Sequence, residues 1–306
     1  MKQFFDYSPE VQSALENKKP VLALESTIIS HGMPYPDNYE TAQAVEHIVR
    51  EYDVTPATIA VIDGKIKIGL TENELHQFAC NKEVLKASRR DLPFIATNRY
   101  SAGTTVAATL FCAAKAGIKL FATGGIGGVH RGDVQDISAD LIEISRTPIA
   151  VICAGAKAIL DLPRTLELLE TMSVPVIGYR TQVLPAFYTD STQYSLSTWV
   201  EDVPTLAEIV TAHWDIGMSS GVLITNPIPA EFNIPLEVIE PVIANAIQKA
   251  EQNNISGKAL TPFLLAEVAQ LTQGKSLLAN IALIKNNARL GAKLARAVLA
   301  LGRSKQ

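Results

Sequence analysis

The strongest constraint on this chain is a repeated alternation along its length. Short β-branched apolar runs occur at residues 21–26, 58–62, 94–97, 118–123, 149–154, 174–178 and 221–225. Between them lie longer segments with helical apolar spacing, at residues 38–52, 72–79, 104–116, 158–172 and 205–214. Runs that are apolar on both faces need cover on both sides. The alternation therefore predicts an α/β chain with a largely parallel central sheet. After residue 235 the strand signal fades, and residues 236–253, 261–272 and 276–301 read as a helical C-terminal layer. Gly117, Gly178 and Gly217 stand where a residue able to take positive φ would close a helix or strand.

The length of 306 residues admits two domains at about 150 residues each. No Pro-, Gly- or Ser-rich linker divides the chain and no internal repeat is visible, so residues 1–306 read as one catalytic domain. With 47% hydrophobic and 19% charged residues, a large core is expected. The net charge of −4, with no basic block, argues against a nucleic-acid partner. No apolar stretch reaches the roughly 18 residues of a membrane span, and residues 1–12 carry acids and a proline where a signal peptide needs an apolar run. Cys80, Cys112 and Cys153 form no close pair, which fits a cytoplasmic protein without a disulfide framework.

Common short motifs fail. In Gly124-Gly125-Ile126-Gly127-Gly128-Val129-His130 a histidine stands where a dinucleotide fingerprint needs its third glycine, and no Walker A loop is present. The five histidines never fall at HxxxH spacing, so a metal would be held by carboxylates and water. What remains is a set of polar residues at strand ends, where open α/β sheets put their ligands.

Glu25 closes the apolar run Leu22-Ala23-Leu24. Burial there would raise its pKa and suit it to proton donation, although local capping explains an acid at that position as well. Lys157, in Cys153-Ala154-Gly155-Ala156-Lys157, is expected at or near a helix start. The helix dipole and apolar surroundings would disfavour its ammonium form and leave a nucleophile; a surface lysine with its charge in water fits the same spacing. The glycines of residues 124–132 suit either an anion-binding nest or a tight turn.

Asp136 and Asp140 are four apart and share a face if helical, ready for a hard cation or a base edge; an N-cap Asp136 is the plainer reading. Lys86, Ser88, Arg89 and Arg90 gather cations and a hydroxyl ahead of the run at 94–97, as a phosphate site or a solvated charge cluster would. Asn280 interrupts an apolar helix face, so it is a core anchor or a substrate-orienting amide.

These segments, together with Ser26-Thr27-Ile28-Ile29-Ser30-His31-Gly32-Met33-Pro34, Gly178-Tyr179, Leu184-Pro185-Ala186-Phe187, Asn226-Pro227-Ile228-Pro229 and Asn286-Asn287-Ala288-Arg289-Leu290-Gly291-Ala292, resemble the pseudouridine-5'-phosphate glycosidase family, also called the indigoidine synthase A family. The resemblance runs from about Pro20 to Leu299 and implies an α/β/α homotrimer. It implies reversible cleavage of pseudouridine 5'-phosphate to uracil and ribose 5-phosphate with a divalent metal, typically manganese.

By the same resemblance Lys157 is the catalytic lysine, Glu25 the proton donor and Asp136 the metal ligand. Lys86, Val106, Ser138, Ala139 and Asp140 contact substrate, and Asn280 orients the base or sugar. The stretch between Gly132 and Asp136 is shorter than the family pattern. A carbon-linked base cannot leave by protonation of a leaving oxygen or nitrogen. The expected route is ring opening with Glu25 as acid, capture of C1' by Lys157, and departure of uracil oriented by Asp140 and Asn280. Two alternatives stay open: a class I aldolase type of Schiff-base enzyme on a sugar phosphate, and a non-catalytic relative in pigment biosynthesis. A base-recognising carboxylate and a metal at Asp136–Asp140 would have no place in a simple aldolase.

Overall fold

The computed structural model describes residues 3–132, 136–255 and 257–304. Among them, eleven strands form one sheet. Its middle is a parallel run in the order Thr55–Ile62, Val21–Leu24, Leu120–Ala122, Ala150–Cys153, Val222–Thr225, Val176–Tyr179 and Thr198–Val200. Beyond Thr55–Ile62 the sheet becomes mixed, because Lys65–Ile68 and Ala102–Thr104 pair antiparallel with that strand. Phe5–Tyr7 and Leu85–Ala87 then add parallel edges.

The strands Val21–Leu24, Leu120–Ala122, Ala150–Cys153 and Val222–Thr225 are buried at every residue, as strands between two helical layers must be. The helix Lys275–Ser304 lies across the first three of them, flanked by Asp37–Glu51 and Val203–Asp215. Val106–Lys115 packs on Val21–Leu24 and Thr55–Ile62, with Ala139–Ile144 against it. This is the α/β chain with a largely parallel sheet that the alternation predicts, in the α/β/α arrangement that the family resemblance implies. One continuous core runs from Val11 to Ala295, and each fully buried Leu or Ile in it contributes about 1.5–3 kcal/mol relative to exposure.

Local chemistry sets the helix starts. Asp161 and Asp202 each accept a backbone N–H three residues on, from Arg164 at 3.1 Å and Thr205 at 2.8 Å, and a proline follows in the first turn. The C-terminal layer consists of Leu236–Gln252, Leu260–Leu271 and Lys275–Ser304, close to the three helices read from the sequence.

Three local expectations are corrected. Residues 94–97 are not a strand but the end of the helix Leu92–Thr97, entered through a 3₁₀ turn at Arg89–Asp91. Pro93 presets the first turn and Asp91 caps back onto the Ser88 N–H at 2.9 Å; a short apolar run alone does not distinguish helix from strand. The helix expected from residue 158 begins only at Leu162. Gly178 lies inside the strand Val176–Tyr179, where a Cβ would come within 2.1 Å of the Thr181 carbonyl oxygen, so close packing rather than positive φ calls for glycine. Gly117 and Gly217 do take positive φ, 79° and 87°.

The sheet order positions the site. From Val21–Leu24 the chain steps outward to Thr55–Ile62, then returns to Leu120–Ala122 on the other side. That reversal separates the loops leaving two adjacent parallel strands and opens a crevice at their C-terminal ends.

Candidate active site

A cavity of about 310 Å³ occupies this crevice. Glu25, Lys86, Val106 and Lys157 line it, as do Asp136, Ser138, Ala139, Asp140 and Asn280. Residues spread over most of the sequence thus meet around one cavity.

Glu25 follows the strand Val21–Leu24 and is buried. The Thr27 and Thr123 hydroxyls donate to its two carboxyl oxygens. Burial pushes its pKa above the usual carboxylate range; the Lys157 charge and the two hydroxyls pull it back, and Asp140 pushes it up.

Lys157 does not start a helix, which corrects the expectation from sequence. It sits in a loop five residues before Leu162, so a helix dipole has no part in holding it. The loop is built by Gly155, whose φ of 87° and close approach to the Pro185 carbonyl oxygen exclude a side chain. Ala156 bridges Ile126, and the Lys157 N–H donates to the Ile126 carbonyl at 3.0 Å. The glycine turn thus brings the lysine to the end of the strand Ala150–Cys153.

Part of the glycine-rich loop has its N–H groups already engaged within the fold. Its Ile126 N–H donates to Gly155 O, Val129 to Thr165 Oγ1 and His130 to Asp136 O. The Gly127 N–H donates to Asp140 Oδ2 at 2.9 Å. The other Asp140 oxygen accepts the Ala107 N–H, also at 2.9 Å. Asp140 therefore ties the loop to the first turn of Val106–Lys115 while lining the cavity. The segment from Asp136 to Asp140 is not one helix: Ser138 caps Ala139–Ile144, and Ile137 bridges back to Val129. Asp136 is thus not an N-cap, and the two carboxylates do not share a helical face.

Lys86, Ser88 and Arg90 line the same cavity with His31 and Thr105. Arg89 turns away to a buried Glu143 at 2.8 Å and over the Phe111 ring, so the triple cation cluster supplies two cations to the cavity. Asn280 is buried, and its side-chain amide makes no hydrogen bond with another described residue. A buried amide facing a cavity in that state is matched to a polar ligand.

Sequence reasoning missed Thr27, Thr123, His31, His130 and Phe187. Thr27 and His31 lie in the segment after Glu25 that carries the family resemblance. Thr123 gave no signal, because only the pairing of two adjacent strands brings it to Glu25. Burial lowers the pKa of both His31 and His130; Lys86 adds to the effect at His31, and Asp136 opposes it at His130.

The donor set bears on a metal. Among the described residues no group of three or more His, Cys, Asp or Glu converges. Asp136 is half-buried on the cavity wall. A hard divalent ion that keeps most of its water and uses one carboxylate plus substrate oxygens fits this arrangement; a closed histidine or cysteine site does not. Residues 133–135, in the stretch expected to be shorter than the family pattern, lie outside the described residues.

A buried acid, a strand-end lysine and a cationic corner around one crevice of an open α/β/α sheet define an enzyme site for a small phosphorylated substrate. The chain belongs to the indigoidine synthase A like protein family, whose model matches residues 10–297. It is 59% identical to a pseudouridine-5'-phosphate glycosidase of Caldanaerobacter subterraneus subsp. tengcongensis, over 96% of this chain and 97% of that one. A protein of the same name from Staphylococcus aureus is 53% identical over 97% and 98%. Among solved structures, an indigoidine synthase A-like protein from Thermotoga maritima MSB8 superposes with a TM-score of 0.88 at 32% identity, covering 95% of each chain. The prealnumycin C-glycosynthase AlnA in complex with ribulose 5-phosphate gives a TM-score of 0.90 at 36% identity, covering 99% of each.

Proposed function

We propose that this chain is a pseudouridine-5'-phosphate glycosidase that cleaves the C–C glycosidic bond to release uracil and ribose 5-phosphate. The observation that carries this reading is the meeting of Glu25 and Lys157 in one cavity that Lys86, Arg90 and the buried amide of Asn280 also line. Relatives at 50–59% identity that bear this name support it.

The chemistry follows from the groups present. Glu25 gives its proton to the ribose ring oxygen as the C1'–O bond breaks. The Lys157 amine then forms a bond to C1'. The Glu25 carboxylate takes up the proton that the amine gives up on bonding and passes it to C5 of uracil; the C1'–C5 bond then breaks, its pair restoring the uracil C5–C6 double bond while the lysine nitrogen pair forms the imine, and water hydrolyses that to ribose 5-phosphate and free lysine. Lys86, Arg90 and Ser88 hold the phosphate, and that remote binding orients the reacting end.

Asn280 faces the base. Asp140 acts by fixing the glycine loop and the Val106 turn against the substrate, with Ser138 and Ala139 beside it. A manganese ion bound through Asp136 would supply positive charge beside substrate oxygens. The reading includes a homotrimer in the cytoplasm, and exposed Phe94, Ile216 and Leu278 offer apolar surface for association. No helix among the described residues is long and apolar enough to cross a membrane.

Borohydride added during turnover with manganese tests the route. The Lys157 peptide should gain the mass of a reduced ribose phosphate adduct while uracil is released. Full turnover with an unmodified Lys157 contradicts it.

A further inference from the structure

Thr123 terminates the strand Leu120–Ala122 and is buried, with its backbone held from both sides. Its N–H donates to Ile152 O at 2.9 Å, and its carbonyl accepts from Asn287 Nδ2 at 2.8 Å. Asn287 is fully buried; its amide also reaches the Gly124 carbonyl at 3.3 Å, and its own oxygen accepts from Asn226 Nδ2 at 3.0 Å. Asn226 is fixed in turn by its N–H on Cys153 O at 2.8 Å. Asn280 and Asn287 lie seven residues apart on Lys275–Ser304, about two turns, and so share a face. One amide lines the cavity and the other grips the strand end beneath it.

The Thr123 hydroxyl, fixed in this way, donates to one Glu25 carboxyl oxygen while Thr27 donates to the other. A carboxyl oxygen has two lone-pair sites, and a proton cannot occupy a site that already accepts a hydroxyl. The two threonines therefore limit where the Glu25 proton can sit and fix the plane of the carboxyl group.

We propose that Thr123 is a positioning residue for proton transfer by Glu25, and that the Asn226–Asn287 pair places its hydroxyl by gripping the Thr123 backbone. This rests on the reading of Glu25 as the acid. The charged groups acting on Glu25 are Lys157, from the loop after Ala150–Cys153, and Asp140, from Ala139–Ile144; they act with opposite signs. Neither is altered by a change at Thr123. A hydroxyl that donates to a carboxylate favours the charged form, so its loss leaves Glu25 a more tenacious holder of its proton.

The test measures kcat/KM for uracil release from pseudouridine 5'-phosphate across pH, with thermal melts, for Thr123→Val, Thr123→Ser, Asn287→Ala and Glu25→Gln. Substrate ionisations are common to all and cancel in the comparison. Thr123→Val should move the basic limb up by about one pH unit and lower kcat about ten- to a hundredfold with KM little changed. Thr123→Ser should restore both, and Asn287→Ala should move the limb the same way by less. A Thr123→Val limb that coincides with the unmodified protein overturns the proposal, as does Thr123→Ser behaving like Thr123→Val. Should the valine variant not fold, Thr123→Ala and Thr123→Cys carry the same comparison. A Glu25→Gln variant that keeps both turnover and the basic limb removes the acid assignment itself, a result distinct from either.

Discussion

Two glutamates in this chain are buried to the same degree and meet different fates. Glu25 and Glu46 are each 6% exposed, each accepts a threonine hydroxyl, and burial raises the pKa of both. Glu46 lies on the helix Asp37–Glu51, where Thr58 donates to it at 2.6 Å and Arg50 closes on it at 3.1 Å. Arg50 also holds Glu10 through two hydrogen bonds, so this carboxylate belongs to a structural network. Glu25 has Lys157 across a cavity instead of a guanidinium in contact. A raised pKa therefore records burial in both cases, and what separates the proposed acid from the structural one is the group facing it and the room between them.

The largest expected effect breaks the comparison at its cations. Lys157→Ala should abolish uracil release while leaving the melting temperature near that of the unmodified protein; Arg50→Ala, beside the other glutamate, should leave turnover within about twofold. Retained cleavage in Lys157→Ala contradicts the covalent route.

Smaller effects sharpen it. Glu46→Ala should cost about 1–3 kcal/mol in a denaturant titration, because Thr58 and Arg50 lose a buried acceptor, with kcat unchanged. The smallest effect is a pH-dependent one. A carboxyl whose folded pKa lies above its unfolded value contributes stability below the unfolded pKa and loses it as pH rises through the folded one. Glu25→Gln, neutral throughout, should therefore match the unmodified protein in acid and gain on it as pH rises past the ordinary carboxylate range. A melting difference that shrinks with rising pH contradicts the burial effect.

The sequence disclosed the sheet well where strands are apolar on both faces, as at Val222–Thr225 and Ala150–Cys153, because β-branched residues fill these runs and no proline or capping pair interrupts them. It misled at Leu92–Thr97, where Pro93 and the Ser88–Asp91 cap outweighed the apolar composition. The positions lining the cavity were visible as strand-end polar residues and through the family resemblance. Their partners were not. Asp140 receives two backbone N–H groups from segments 13 and 33 residues away, and Thr123 reaches Glu25 across 98 residues. Such pairings follow from sheet order, which local spacing does not carry.

Of Glu25 and Glu46, only Glu25 is expected to take part in the reaction. Turnover of pseudouridine 5'-phosphate by Glu25→Gln and Glu46→Gln, measured side by side with manganese present, tests it most directly. In Glu25→Gln kcat should fall about 10²–10⁴-fold with KM little changed, and in Glu46→Gln kcat should stay within about twofold of the unmodified protein. Near-normal turnover in Glu25→Gln, or an equal loss in both variants, would contradict it.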